Sequence, residues 1–251
     1  MKHILFIRGM NSSGDNTLRL GPFTFGPMHA FWESAIRAAG HQFTAINGLG
    51  TGLTDELVPR AQREVHQIFQ TRLNTIEDYV LVGHSQGGLV SRILVHNPNI
   101  REKIKTVVTV GTPHHGAWLA EAGMKFAKLQ ALFPQTPALL NRQIVISSLT
   151  TDKMKGFNAN FPAHSGVRYA SVLTTATHQQ RSLPLKFLAP LQSEPSDGIV
   201  NLSSQSFGDT LGPFKLDHLA QLGYSIGASA KEKNRVAEEF NRMIAAILNW
   251  V

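Results

Sequence analysis

The stretch Gly83-His84-Ser85-Gln86-Gly87-Gly88 carries the residue types and spacing for covalent chemistry. A serine hydroxyl is a weak nucleophile until a base takes its proton, and it must project from the scaffold to meet a substrate. A sharp turn from strand to helix gives that projection but crowds the backbone, and glycines two positions either side of the serine relieve the crowding. Tyr79-Val80-Leu81-Val82 reads as a buried strand entering such a turn, and Leu89 to Val95 as the helix leaving it. Ser85 is therefore the candidate nucleophile. Helix N-termini favour developing negative charge, so the Gln86 N–H is one candidate oxyanion donor. The loop after the first strand, Arg8-Gly9-Met10-Asn11, offers the Met10 N–H as the second.

A serine in this setting needs a base later in the chain, preceded by a carboxylate that orients it. His218 is the one histidine after residue 178, which makes it the candidate base. His114, His115, His164 and His178 come too early in the chain. His84 adjoins Ser85 but should point away from it, packing or hydrogen bonding beneath the turn. The candidate acids are Glu194, Asp197, Asp209 and Asp217. Asp197 is favoured, because Pro195-Ser196-Asp197-Gly198 is a turn followed by the apolar Ile199-Val200 and would sit at a sheet edge. Asp209, beside a glycine, reads as a surface turn. Asp217 adjoins His218, where side-chain pairing is awkward. The neighbouring pair His114-His115 would diverge, and no Cys/His/Asp/Glu spacing supports a zinc site, so no metal and no cofactor are expected.

Short apolar runs alternate with helical patterns along the rest of the chain. Strands are expected at His3 to Arg8, Gln42 to Ile46, Thr106 to Val110 and Arg168 to Leu173. Helices are expected at Met28 to Ala39, Thr54 to Leu73 and Lys231 to Trp250, the last with Val236, Phe240, Met243, Ile244, Ile247 and Leu248 on one face. This alternation predicts one α/β domain over 1–251, a mostly parallel sheet covered by helices on both faces. The departure is 117–165, helical at first and inserted between two strands. Trp118, Ala122, Phe126, Leu129 and Phe133 form an apolar stripe there. Such a helix packs on the core or serves as a cover over the active site. As a cover, its Trp118, Phe126, Leu129 and Phe133 would line the substrate site.

Composition removes several other classes. The 251 residues contain no cysteine, which excludes disulfides, thiolate metal sites and a cysteine nucleophile. The net charge of +7 comes without a dense Lys/Arg run or aromatic–basic alternation, so no nucleic-acid partner is expected. The apolar run Ile4 to Ile7 is too short for a signal-peptide core, and no segment is long enough to span a bilayer. Cytoplasmic location or leaderless export is the resulting expectation.

Taken in order, these segments resemble bacterial triacylglycerol lipases of the α/β-hydrolase superfamily. Arg8-Gly9-Met10 stands where that family has its His-Gly-Leu oxyanion segment. Val82 to Gly88 is similar to its nucleophile motif, and Val110-Gly111-Thr112-Pro113-His114-His115-Gly116 to its Gly-Thr-Pro-His segment. Leu149-Thr150-Thr151 and Phe157 to Pro162 resemble the stretch after its lid. Ser196-Asp197-Gly198-Ile199-Val200 resembles its acid motif and Asp217-His218-Leu219 its base motif. The resemblance implies the α/β-hydrolase fold with a helical lid, a Ser85–His218–Asp197 triad, and ester hydrolysis on acyl lipids with transient contact at a lipid surface. Phospholipase, thioesterase and acyltransferase chemistries share the same triad. A non-catalytic binding protein of the same fold would commonly have lost one of its members. Family members often bind calcium through an Asp two positions after the catalytic histidine. That position is Ala220 here, and the one six after the histidine is Tyr224, so the calcium site is expected to be lost. The position of one family cysteine matches Ser203.

Overall fold

A computed structural model describes residues 1–9, 17–20, 23–46, 79–121, 149–186 and 194–251. The chain enters through β1 (His3–Ile7), then a hairpin of β2 (Thr17–Leu20) and β3 (Phe23–Pro27), helix α1 (Ala30–Ala38) and β4 (Gln42–Ile46). It continues through β5 (Tyr79–His84), α2 (Gln86–Val95) and β6 (Ile104–Val110). Helix α3 (Thr151–Asn160), β7 (Arg168–Thr174), β8 (Asp209–Phe214) and α4 (Ala230–Trp250) complete it. The main sheet runs β4-β1-β5-β6-β7-β8, and every neighbouring pair is parallel.

Side chains alternate across a strand, so a parallel sheet buried on both faces needs an apolar residue at nearly every position. In β1, Ile4 and Phe6 enter one core and Leu5 and Ile7 the other. In β5, Val80 and Val82 join the first core, Tyr79 and Leu81 the second. Trp32 and Ile36 of α1 cover the first face with Val236, Phe240, Met243, Ile244 and Ile247 of α4. Leu89, Val90, Ile93 and Leu94 of α2 and Met154 of α3 cover the second. Helix α4 starts where the Ser229 hydroxyl accepts the Glu232 N–H at 3.3 Å. This is the parallel, helix-covered sheet expected of the α/β-hydrolase fold.

The order of the strands determines where a site can form. From β1 the chain moves outward to β4 and then crosses back to β5 on the other side of β1. Connections therefore diverge between β1 and β5, and the carboxyl ends of two such strands leave a crevice between them. Gly9 lies just beyond β1 and Ser85 just beyond β5.

Two elements differ from the sequence expectation. Asp209 opens β8 instead of a free surface turn. Gly212 and Pro213 disguise that strand in the sequence, but an outermost strand needs partners along one edge only and tolerates both. The β2–β3 hairpin was not anticipated either. The expected helix at Thr54 to Leu73, most of the 117–165 insertion and Met10 fall outside the described residues. Among the described residues, no helix is long and apolar enough to cross a membrane.

Phe240 is 5% exposed and meets Trp32 edge-on at 5.8 Å, so it joins α4 to α1. Phe240→Ala should lower stability by about 3–5 kcal/mol, read as a lower urea midpoint with an unchanged denaturant slope.

Candidate active site

Ser85 sits between β5 and α2 with φ 55° and ψ −128°, the one positive φ outside glycine among the described residues. A non-glycine residue holds such a conformation only when its surroundings enforce it. Here the Ser85 N–H donates to the Val110 carbonyl at 2.8 Å, and the Ser85 carbonyl accepts the Thr112 hydroxyl at 2.9 Å. The three glycines that flank Ser85, at 83, 87 and 88, leave no room for a side chain. A Cβ at Gly83 would lie 2.5 Å from Gly88, and one at Gly87 2.2 Å from the Ile7 carbonyl oxygen. At Gly88 it would meet the Thr112 hydroxyl at 2.1 Å. Gly9 closes in from the other side, where a Cβ would sit 2.8 Å from the Ser85 Cβ. The candidate oxyanion segment therefore begins against the candidate nucleophile. Gln86 is the first residue of α2, where backbone N–H groups have no acceptor within the helix. Met10 lies outside the described residues.

Asp197 and His218 meet although they lie on separate loops. His218 Nδ1 is 2.7 Å from Asp197 Oδ2, with both residues buried. The His218 N–H also donates to the Asp197 carbonyl at 2.9 Å. The other carboxylate oxygen, Oδ1, accepts the N–H groups of Ile199 at 2.9 Å and Val200 at 2.7 Å. Burial opposes the Asp197 charge, and it is the largest single influence. The facing His218 and the two amides outweigh it, so the carboxyl lies below its ordinary range.

The other candidate acids have different work. Asp217 folds back on its own turn, its Oδ1 accepting the Leu219 and Ala220 N–H groups at 2.9 and 2.7 Å. Its Oδ2 accepts the Ser182 N–H, and burial pushes its carboxyl up. It thus braces the loop that carries His218. Asp209 accepts the Trp250 indole N–H at 3.2 Å on the sheet edge, and Glu194 accepts the Ser203 hydroxyl at 3.2 Å.

Among the other histidines, His114 is wholly buried between Arg92 at 3.2 Å and Thr109 at 3.0 Å. Burial, and then the Arg92 charge, hold its pKa well down. Arg92 also donates to Asn158 Oδ1 at 2.7 Å and to the Phe161 carbonyl, and its guanidinium lies 3.7 Å from the Phe207 ring centre. His115 is exposed. His84 is buried beneath the turn, its ring 4.8 Å from the His218 ring, and burial lowers its pKa to about 3.

Gln221 was not singled out in the sequence. It lies three residues after His218, fully buried, and its Nε2 donates to Asp197 Oδ2 at 2.8 Å. A glutamine one helical turn after a catalytic histidine is the signal that could have found it. Trp118 is half-buried; Phe126, Leu129 and Phe133 fall outside the described residues. The residues present do not fit a calcium ion beside His218. Ala220 offers no side-chain ligand, and the Tyr224 hydroxyl donates to the Pro27 carbonyl at 3.0 Å.

Comparison with known proteins places the chain in a family. The model of the PGAP1-like alpha/beta domain matches residues 38–182, more than half of the chain. The chain belongs to the PGAP1-like alpha/beta domain family. The matched stretch includes Ser85 and ends before Asp197 and His218. A GPI inositol-deacylase of Debaryomyces hansenii is 33% identical over 82 residues, which is 32% of this chain and 8% of that protein. This member of the PGAP1-like family therefore matches only a small part of that relative's length. Its fold is that of bacterial lipases and esterases. A metagenomic carboxyl esterase superposes with a TM-score of 0.69 at 18% identity, over 99% of this chain and 75% of the other. The Staphylococcus hyicus lipase gives 0.69 at 14% identity, over 99% and 95%. The phospholipase PlaB of Legionella pneumophila gives 0.56 at 12%, over 99% and 63%.

Two tests follow from the geometry. Gly87→Ala should cost about 1–3 kcal/mol of stability through overpacking, measured by urea unfolding. His84 and His114 are neutral in the fold, whereas histidines of an unfolded chain take up protons below about pH 6.5. The unfolded state then binds more protons, so stability should fall as pH drops below that value. His114→Asn should make the fall shallower by about one proton, read from urea midpoints between pH 7 and pH 5, about 1.4 kcal/mol per pH unit.

Proposed function

We propose that this protein is a serine carboxylic ester hydrolase that cleaves acyl esters of lipids. The observation that carries the reading is the 2.7 Å contact between His218 Nδ1 and Asp197 Oδ2, on loops beside the Ser85 turn. His218 Nε2 takes the Ser85 proton as Oγ adds to the ester carbonyl. The backbone N–H groups of Gln86 and Met10 stabilise the oxyanion, and His218 returns the proton to the departing alcohol. Water, deprotonated by His218, then releases the acyl group from Ser85. Asp197 keeps the imidazole in the tautomer that presents Nε2 to Ser85 and stabilises its transient charge.

The sequence stripe of Trp118, Phe126, Leu129 and Phe133 is proposed to meet the acyl chain, on its apolar residue types alone. A lipid ester is supported by the lipase, esterase and phospholipase folds this chain resembles. A second reading is favoured by the family match and the fungal relative: the acyl group removed is one esterified to a sugar-alcohol head group. Phospholipase, thioesterase and acyltransferase reactions would use the same three residues.

Hydrolysis of esters of increasing acyl length, as monomers and as emulsions, tests the proposal against Ser85→Ala. The wild type should release fatty acid and Ser85→Ala should be silent. Asp197→Asn should lower kcat by about 10⁴, because the imidazole is left in the wrong tautomer. Equal rates in wild type and Ser85→Ala would sink the serine mechanism. Turnover of short soluble esters alone would remove the lipid assignment.

A further inference from the structure

The proposed mechanism uses one of the three side chains that converge on Asp197 Oδ2 and its immediate surroundings; the other two are Gln221 and His84. Gln221 Nε2 donates to Asp197 Oδ2 at 2.8 Å and to the Thr174 hydroxyl at 2.6 Å. Its Oε1 accepts from His84 Nε2 at 3.0 Å. The site is shaped around this amide. Gly111 has φ 54°, and a Cβ there would lie 2.3 Å from Gln221 Oε1. The Gln221 carbonyl accepts the Trp32 indole N–H at 2.8 Å, and its own N–H donates to the Asp217 carbonyl at 3.0 Å.

Donor and acceptor roles follow from the chemistry of the ends. An ionised carboxylate only accepts, so the Gln221 NH₂ must face Asp197. The amide oxygen then faces His84. His84 Nε2 meets two acceptors, Gln221 Oε1 and the His218 carbonyl at 3.2 Å, so it carries the ring proton. A rotated amide would press its oxygen against the Asp197 charge and its NH₂ against the His84 N–H.

We propose that Gln221, held in one orientation by His84, is a positioning residue that fixes Asp197 Oδ2 for His218 and tempers its negative charge. The proposal rests on the hydrolase reading, since it assigns these residues a part in that triad. It also gives a reason for the histidine immediately before Ser85: the chain segment that presents the nucleophile also locks the acid. The amide places a positive dipole end beside Oδ2. Removing it leaves more of the carboxylate charge to His218 and favours the protonated ring, in which the base is spent.

Three other ionisable groups face the pair. Arg181 donates to the Ser196 hydroxyl at 3.1 Å beside Asp197, Asp217 precedes His218, and the His84 ring lies 4.8 Å from the His218 ring, tilted 46° to it. Gln221→Met leaves all three in place.

The test compares pH profiles of kcat/KM for wild type, Gln221→Met, His84→Phe and the double variant on a soluble ester. Gln221→Met should move the acid limb upward by about half to one pH unit and lower kcat about tenfold, with KM within about twofold. His84→Phe should move the limb the same way by less. The double variant should match Gln221→Met, because both act through one chain of hydrogen bonds. NMR titration of the His218 ring in the same proteins should give the same upward shift whether or not ester is turned over. An unmoved or lowered titration in a folded variant, or additive shifts, would overturn the proposal. Silence of the wild type on every ester would instead remove the hydrolase reading while the titration still judges the hydrogen-bond chain. His84→Phe keeps the test open should Gln221→Met fail to fold.

Discussion

The carbonyl oxygen of Ile7 lies 2.2 Å from where a Cβ on Gly87 would be, and the Gly88 backbone 2.5 Å from where one on Gly83 would be. This near contact of the ends of β1 and β5 with the start of α2 is what the site depends on. It brings α2 down onto the ends of β1 and β5 and forces Ser85 into a backbone conformation that other residues rarely hold. The Val110 and Thr112 hydrogen bonds keep it there from the β6 side. The half-buried Ser85, the candidate nucleophile, is thus presented by compression behind it, at the point where the chain's crossings diverge.

The candidate acid and base are held by a different kind of constraint. They come from loops following β7 and β8, and loops are specified by hydrogen bonds more than by apolar packing. Asp197 collects two backbone amides of its own turn on one oxygen and two side chains on the other. Asp217 does the same for the turn after it. One carboxylate orients the imidazole and the next orients the loop that carries it, which explains why two neighbouring buried acids near one histidine have unlike surroundings.

Much of this was legible in the sequence, for reasons that differ by residue. The Gly-X-Ser-X-Gly spacing is a steric requirement, so it survives as a local pattern. The buried strands β1, β5, β6 and β7 read as apolar runs because both faces are covered. Strand β8 did not, since an edge position tolerates Gly212 and Pro213. Gln221 did not either. Its importance lies in contacts to Asp197, Thr174 and His84, 24, 47 and 137 residues away in sequence, and no local pattern records such contacts. The pairing of Asp197 with His218 lay between these cases: order along the chain narrowed the choice, and three dimensions placed the partners.

Arg92 sits on the rear of α2, against the rings of Phe207 and Phe157 and bonded to His114, Asn158 and a carbonyl. Its partners are neutral. Burial lowers it only to about 10, and His114 stays unprotonated well below neutrality. The helix anchor therefore keeps one charge state across the whole interval in which an imidazole base must gain and lose its proton. A buried guanidinium against aromatic faces is also screened little by salt. The neutral histidines packed around Ser85 register a fall in pH as lost stability of the whole fold, while the charge state of the buried support behind the turn stays the same.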